Sequence, residues 1–401
     1  MLVGAILERI HMIIQRIFWK NLIERALQHR NVVWLMGVRR SGKTSLCKSL
    51  QDIVLFDCEL PSVRKELADP EAFLKKQKGK IIAIDEIHRL ENPSELLKIA
   101  ADYFPDVKIV ATGSSTLGAS AKFSDTLTGR KKEVWLTPMV LHEMEIFGSN
   151  QIKHRFLFGG FPAFFVQKNI IESDFEEWLD AYWAKDIQEL FSINKRSSFL
   201  KFAELLLVHS GGMFDATKYS VACEISRETV ANYLQVLEET FLMHVIRPYS
   251  THKATEIVKA PKIYGFDTGF VAYAKGWGEL RAEDMGFMWE HIVLNEIQAH
   301  LQSRKIHYWR DKQEREVDFI IPHRSRENKV TAIECKFSID ADEMNLKSIV
   351  KNLQVFRELY PEGENYVVAY QVEKSFTKHY QGLVIEFVTL SDLVSQLTAN
   401  K

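Results

Sequence analysis

Residues 37 to 44 read Gly37-Val-Arg-Arg-Ser-Gly-Lys-Thr44, two glycines bracketing four residues and followed by a lysine and a hydroxyl side chain. This spacing suits a phosphate-binding loop: the glycines let successive backbone N–H groups turn toward an anion, and the helix start behind them adds partial positive charge. Candidate nucleotide-binding residues are Gly37, Val38, Arg39, Arg40, Ser41, Gly42, Lys43, Thr44 and Ser45. Lys43 is expected to reach the β- and γ-phosphates of ATP or GTP, and Thr44 to offer a hard hydroxyl oxygen to Mg²⁺. A second signal is Ile81-Ile-Ala-Ile-Asp85-Glu86, an apolar run ending in adjacent carboxylates. Asp85 is expected to hold Mg²⁺ through water. Glu86, one residue on, would orient or deprotonate an attacking water, which favours hydrolysis over binding alone. The run Val107 to Ser115 ends in small hydroxyl residues, of which Thr112 and Ser114 are candidate γ-phosphate sensors or members of a Ser/Thr-rich turn. Arg130, after Thr128-Gly129, is a candidate arginine finger within this subunit or toward a neighbour, or a surface arginine.

These groups need a scaffold, and the apolar runs supply one. Val32 to Met36 reads as a buried parallel strand, and Lys43 to Leu50 can open a helix, so strand, glycine loop and helix follow in the required order. A further strand, Ile53 to Asp57, falls between the two motifs, an arrangement that speaks against a nucleotide kinase or a small GTPase.

A third constellation lies near the C-terminus. Strands are expected at His307 to Trp309, Val317 to Ile321, Val330 to Phe337 and Tyr366 to Tyr370, after a helix from Met288 to Leu301. Asp318 falls within an apolar strand, Glu334 and Lys336 share one face of the next by alternation, and the helix offers Glu290. An acid followed by acid-x-lysine is the PD-(D/E)XK nuclease pattern, in which carboxylates hold Mg²⁺ or Mn²⁺ and the lysine steers water at a phosphodiester. The alternative is a set of surface charges on a mixed sheet.

Between these regions, aromatic residues recur at helical spacing over Ser173 to Leu190 (Phe175, Trp178, Tyr182, Trp183) and are expected in the core. From Phe199 to Pro248 the pattern suggests a winged helix-turn-helix, with Ser226 capping a helix whose inner stripe is Val230, Leu234, Leu237 and Phe241. Its outer face carries Arg227, Glu228, Asn232, Gln235, Glu238 and Glu239, acidic enough that a structural or nucleotide-coupled lid role stands level with DNA reading.

Composition bounds the rest. A chain of 401 residues with 46% hydrophobic content supports two or three packed domains. Net charge is −1, so nucleic acid or an anionic membrane must be met by local patches, candidates being Lys75 to Lys80, Arg130 to Lys132, and Arg304 to Arg315 with Tyr308 and Trp309 interleaved. Cys47, Cys58, Cys223 and Cys335 show no metal-pair spacing and read as reduced thiols of a cytoplasmic protein. Polar residues interrupt the apolar stretch Met1 to Trp19 too often for a membrane span, and Met12 reads as a natural start.

Taken with Ile-Asp-Glu-Ile-His-Arg-Leu, Ala-Thr-Gly-Ser-Ser, Leu-Thr-Gly-Arg, Gly159-Gly-Phe-Pro162, Ala184-Lys-Asp-Ile187, Lys262-Ile-Tyr-Gly-Phe-Asp-Thr-Gly269, Tyr308-Trp-Arg-Asp311 and Glu316-Val-Asp-Phe319, the chain resembles a large prokaryotic family of predicted ATPases. The resemblance implies an α/β protein: a P-loop AAA-type ATPase domain, a helical and winged-helix middle region, and a C-terminal α/β domain of unknown function that is restriction-endonuclease-like. The corresponding boundaries are an N-terminal helical extension at 1–20, the ATPase domain at 21–149, a helical region at 150–198, the winged helix and linker at 199–280, and the nuclease-like domain at 281–401. Cys335 stands where a valine is usual between the acid and the lysine. The expectations are ATP and Mg²⁺ as cofactors, with a second Mg²⁺ or Mn²⁺ in the C-terminal domain. Expected partners are nucleic acid (DNA before RNA) or a protein, with no membrane, and a homo-oligomer is expected. Two functions fit: an ATP-regulated nucleic-acid enzyme, or an ATPase regulatory module whose C-terminal domain binds without cleaving.

Overall fold

The computed structural model describes residues 14–113, 127–169, 171–191, 193, 195–250, 260–323, 329–338, 343–380 and 382–399. Ser114 lies outside them. Five short apolar strands, β1 (Val32–Met36), β2 (Ile53–Asp57), β3 (Ile81–Asp85), β4 (Lys108–Thr112) and β5 (Lys131–Trp135), form an all-parallel sheet in the order β2-β3-β4-β1-β5. Alternation sends Val32, Trp34, Ile82, Ile84 and Ile109 to one face and Val33, Leu35, Ala83, Val110 and Val134 to the other, each under its own apolar cluster. Both faces are covered, which is why these strands read as continuous apolar runs. β4 lies between β1 and β3, so the loop after β1 and the carboxylates after β3 share one end of the sheet.

Two of the expected boundaries fall within continuous structure. The helix Ile17–His29 crosses the 20/21 boundary and buries Trp19, Ile23, Ala26 and Leu27, one stripe at helical spacing, in the same cluster as Val33 and Leu35. It packs with the five-stranded sheet. The boundary at 280 is bridged by a sheet. In the middle region the order is helix Arg196–Val208, β6 (Gly212–Met213), helices Ala216–Cys223 and Arg227–Glu239, then β7 (Met243–Pro248) and β8 (Lys262–Gly265). After it come helix Ala282–Leu301, β9 (His307–Arg310), β10 (Glu316–Pro322), β11 (Val330–Lys336), helix Glu343–Leu359, β12 (Asn365–Ala369), β13 (Phe376–Tyr380), β14 (Leu383–Val388) and helix Leu390–Ala399. β7 pairs with β9 in parallel, Arg247 opposite His307, so the described strands form one sheet of order β13-β14-β12-β11-β10-β9-β7-β8-β6. Each strand would otherwise present an open edge, and the pairing removes both.

One apolar cluster correspondingly runs from Phe156 through Trp178, Phe202, Tyr264 and Trp289 to Leu397. The Ala282–Leu301 helix and its C-cap Gln302 cross it and also grip the unit of the five-stranded sheet: Asn295 Nδ2 donates to the Pro138 carbonyl at 3.2 Å, Glu296 Oε1 accepts from Leu141 N at 2.6 Å, and Gln302 Oε1 accepts from Trp135 N at 2.7 Å. The expected core aromatics Phe175, Trp178, Tyr182 and Trp183 are all buried. The helix carrying them widens into a π-helical turn at Trp183–Ile187.

Candidate functional site

The loop after β1 closes a cleft of about 340 Å³ lined by Gly37, Arg39, Arg40, Gly42, Lys43, Thr44 and Ser45 from the ATPase unit, with Glu86, His88 and Arg89 opposite. Gly42 holds a left-handed φ of 95° at the start of the Lys43–Lys48 helix, a conformation that a side chain would strain. Val38 turns away into the core. Lys43 Nζ donates to the loop's own Gly37 and Val38 carbonyls at 2.9 and 3.1 Å. Burial pulls its pKa down against the opposing pull of Glu86, Asp186 and Asp85. The loop is buttressed from behind: Arg16 donates to the Ser41 carbonyl at 3.2 Å and pairs with buried Glu143 at 2.8 Å, and Trp178 Nε1 donates to the Arg39 carbonyl at 3.2 Å.

At the end of β3, buried Asp85 accepts from Thr44 Oγ1 at 2.7 Å and from Thr112 Oγ1. Thr112, the candidate γ-phosphate sensor, is fully buried, and its hydroxyl fixes Asp85 and the Glu86 N–H, 3.3 Å away. Glu86 itself adopts a left-handed φ of 51°, which turns its carboxylate out of the strand line and toward the cleft. His88 Nδ1 lies 3.1 Å from Glu86 Oε2, and this hydrogen bond is the chief reason its pKa is lowered. Glu86 is thus held as a carboxylate, the form able to accept a proton. The oxygen donors Thr44 and Asp85 beside a lysine suit Mg²⁺ and a polyphosphate.

Arg130 lies away from this cleft within the chain. It precedes β5, whose first residue Lys131 is level with Val32 at the start of β1, the sheet end opposite the loop. There it pairs with Asp102 at 2.7 Å. The sequence reading missed Glu59, Lys185 and Asp186, which also line the cleft. Lys185 and Asp186 come from the π-helical turn, so the middle region reaches this cleft directly. The motif Ala184-Lys-Asp-Ile187 was their only sequence signal.

The C-terminal residues do converge. Phe319 pairs with Ile333 across β10 and β11, which sets Asp318 beside Glu334. Asp318 Oδ2 accepts the Cys335 N–H at 2.7 Å, and Lys336 Nζ reaches Glu334 Oε2 at 3.3 Å. Glu290, on the Ala282–Leu301 helix, accepts from Tyr264 OH and lies 3.6 Å from Lys262 Nζ, which also donates to Glu316. Burial first, then the neighbouring Asp318 charge, pushes Glu290 up to about 7 and Glu334 up to about 8. Lys262, Tyr264 and Glu316 were not recognised as members of this cluster from sequence. Among the described residues no group of three or more His, Cys, Asp or Glu side chains stands in metal-ligand spacing. The Arg304–Arg315 stretch is no open basic strip: Tyr308 and Trp309 are buried, Arg304 lies 4.6 Å from the Phe241 ring centre, Arg310 pairs with Glu314 and Arg315 with Asp311. No helix among the described residues is long and apolar enough to cross a membrane.

Comparison with known proteins divides the chain into three matched segments. Residues 29–145 match the family model of an AAA domain, residues 149–281 a domain of unknown function (DUF8612), and residues 285–391 a domain of unknown function (DUF4143). An uncharacterized protein of Mycobacterium tuberculosis is 27% identical over 324 residues, 77% of this chain and 72% of its own length. An uncharacterized protein of Methanocaldococcus jannaschii is 22% identical over 399 residues, 86% of this chain and 88% of its own. Among solved structures, a Walker-type ATPase of Pyrococcus abyssi is 17% identical with a TM-score of 0.44, covering 65% of this chain and 96% of its own. AMPPCP-bound DnaA from Aquifex aeolicus is 11% identical with a TM-score of 0.28, covering 54% of this chain and 86% of its own. The chain thus carries an AAA-type ATPase domain followed, after a middle region, by a DUF4143 domain.

Proposed function

We propose that the chain is a Mg²⁺-dependent ATP-hydrolysing switch whose nucleotide state is passed to a nuclease-like C-terminal domain acting on nucleic acid, DNA before RNA. The carrying observation is the arrangement at one sheet end: Thr44 and Thr112 bound to Asp85, Glu86 beside it on His88, and Asp186 of the middle region on the same cleft. Mg²⁺, held by Thr44 and Asp85, would neutralise charge on the β- and γ-phosphates. Lys43 exchanges its two loop carbonyls for phosphate oxygens, so its ammonium meets anionic rather than neutral acceptors. Glu86, kept ionised by His88, takes the proton of the water that attacks the γ-phosphorus. Lys185 and Asp186 meet the bound nucleotide from the middle region, which gives hydrolysis a route to move it.

The C-terminal reading rests on helix, three antiparallel strands, helix and a parallel strand, with Asp318, Glu334 and Lys336 adjoining and Glu290 on the helix. The helix-strand-helix-helix-strand-strand order of residues 196–265 supports the winged-helix assignment. The second reading, a C-terminal domain that binds without cleaving, is favoured by one observation: Lys262 and Lys336 already pair with Glu290 and Glu334.

Calorimetry with ATP and Mg²⁺ tests the first half. Lys43→Ala is expected to lose binding altogether, and unchanged affinity would refute the loop assignment. For the second half, single-stranded, duplex and branched DNA and RNA are incubated with Mg²⁺ or Mn²⁺. Cleavage lost in both Asp318→Ala and Lys336→Ala supports the nuclease reading, and an intact panel leaves the binding module.

A further inference from the structure

Lys262 belongs by sequence to the middle region, yet its ammonium lies inside the C-terminal carboxylate cluster. β8 delivers it: strand alternation points Lys262 and Tyr264 the same way, toward the Ala282–Leu301 helix and β10. Its side chain is only 7% exposed, donates to Glu316, stands 3.6 Å from Glu290 Oε1 and 3.4 Å from Tyr264 OH, and lies 5.8 Å from the Tyr308 ring centre. Burial alone would lower its pKa, but the charges of Glu290, Asp318 and Glu316 outweigh that and raise it, so the group stays an ammonium. Around it the compensation is incomplete. Glu334 is 2% exposed and engages Lys336 through one oxygen, while its Oε1, on the strand beside Asp318, has no hydrogen-bond partner. A buried carboxylate oxygen left unmatched is costly, and it marks a place where a cation would be stabilised.

We propose that Lys262 is a displaceable internal counter-ion, holding the carboxylate cluster in a metal-free, closed form that takes a divalent cation only when β8 withdraws it. The inference rests on the nuclease-like reading of Asp318, Glu334 and Lys336 and names its regulation. Glu290 and Glu316 both face the Lys262 ammonium, which meets part of the cluster's negative charge without a metal. β8 is also placed to be pulled. The residue after it, Phe266, stacks on Trp178 at 5.3 Å between ring centres, and the Trp178 indole N–H is bonded to the Arg39 carbonyl of the phosphate loop.

The test is Mn²⁺ titration, without nucleotide, of the full chain in an Asp85→Asn background, which removes the carboxylate that would hold metal in the ATPase cleft. Lys262→Met should bind Mn²⁺ about tenfold or more tightly than the parent, because a competing unit charge a few ångströms away is gone, while Lys262→Arg should stay at the parent's level. Lys262→Gln, which keeps a donor for Glu316, serves where the methionine variant does not fold. Asp318→Asn added to the tight variant should abolish the gain, which assigns the metal to this cluster. If the parent binds Mn²⁺ through Asp318 as tightly as Lys262→Met, the counter-ion role is overturned while the metal site stands. If neither lysine variant gains an Asp318-dependent Mn²⁺ site, the counter-ion role and the metal-dependent reading beneath it both fall.

Discussion

Asp267→Asn changes one buried charge at almost constant volume, at the joint between the middle region and the loop that follows the ATPase sheet. Asp267 is 3% exposed and its partner Arg155 is 1% exposed. Oδ2 accepts from Gly160 N at 2.6 Å and stands 3.5 Å from Arg155 Nη1, and Oδ1 accepts from Gly269 N at 3.0 Å as the cap of the Thr268–Ala274 helix. Gly159 is required beside it: its φ is 75°, and a Cβ there would lie 1.9 Å from Asp267 Oδ1. The asparagine keeps one acceptor and turns a donor toward the donors of Gly160 or Arg155. It also leaves the guanidinium with only the more distant charges of Glu296 and Glu143. Breaking one side of a buried pair costs about 3–5 kcal/mol. At roughly 2–4 °C per kcal/mol for a domain of this class, the melting temperature should fall by roughly 6–20 °C. Urea unfolding followed by circular dichroism gives the free energy, and Arg155→Met added to the variant should restore part of it, since the stranded charge is then removed. A loss below about 1 kcal/mol, or strict additivity of the two substitutions, would refute the assignment of that cost to an uncompensated buried arginine.

Glu86→Gln should retain ATP affinity while phosphate release slows by roughly two orders of magnitude, the usual scale for a positioned base; wild-type turnover would move the base elsewhere. Arg130→Ala should leave ATP turnover unchanged, because the side chain lies at the far end of the sheet on Asp102, and a large loss would show that it reaches a nucleotide in another subunit. Stability should decline from pH 6.5 to 8, and Glu334→Gln should flatten that decline in thermal melts. The folded pKa of Glu334, about 8, is above its ordinary 4.5, so its contribution is present at low pH and lost as pH rises through 8, whereas buried His291, lowered to about 4, acts in the opposite sense only below about pH 6.5.

How much of this was legible depended on whether the signal was local. The phosphate loop and the Asp85-Glu86 pair are contiguous, and their strands are buried on both faces, so spacing and hydropathy reported them together. Arg130 follows the β4 segment in the chain, but sequence proximity does not say which end of a strand a residue occupies. The parallel pairing of β5 with β1 sends a residue just before β5 away from the loop. The helix Glu343–Leu359, β13, β14 and the helix Leu390–Ala399 were not anticipated. For β13 the reason is physical: Phe376-Thr-Lys-His-Tyr380 is an edge strand, mostly exposed, with no buried face to impose alternation.

The segment Lys262 to Gly269 shows what pattern reading leaves out. Its residue types were noted without roles because each role depends on a partner far away in the chain. Lys262 and Tyr264 alternate onto the side where Glu290 and Glu316 lie, 26 to 54 residues on. The next residues serve a different neighbour: Phe266 meets Trp178, Asp267 holds Gly160 and Arg155, and Gly269 is so close to Gly159 that a Cβ would lie 2.7 Å from its N atom. Within eight residues the backbone changes from a strand that supplies a charge to the carboxylate cluster into a helix cap clamped on the turn after the Ile152–Phe158 helix. A shift of this short segment must therefore be felt at both ends, since neither the buried ion pair nor the buried ammonium can move without losing its partners.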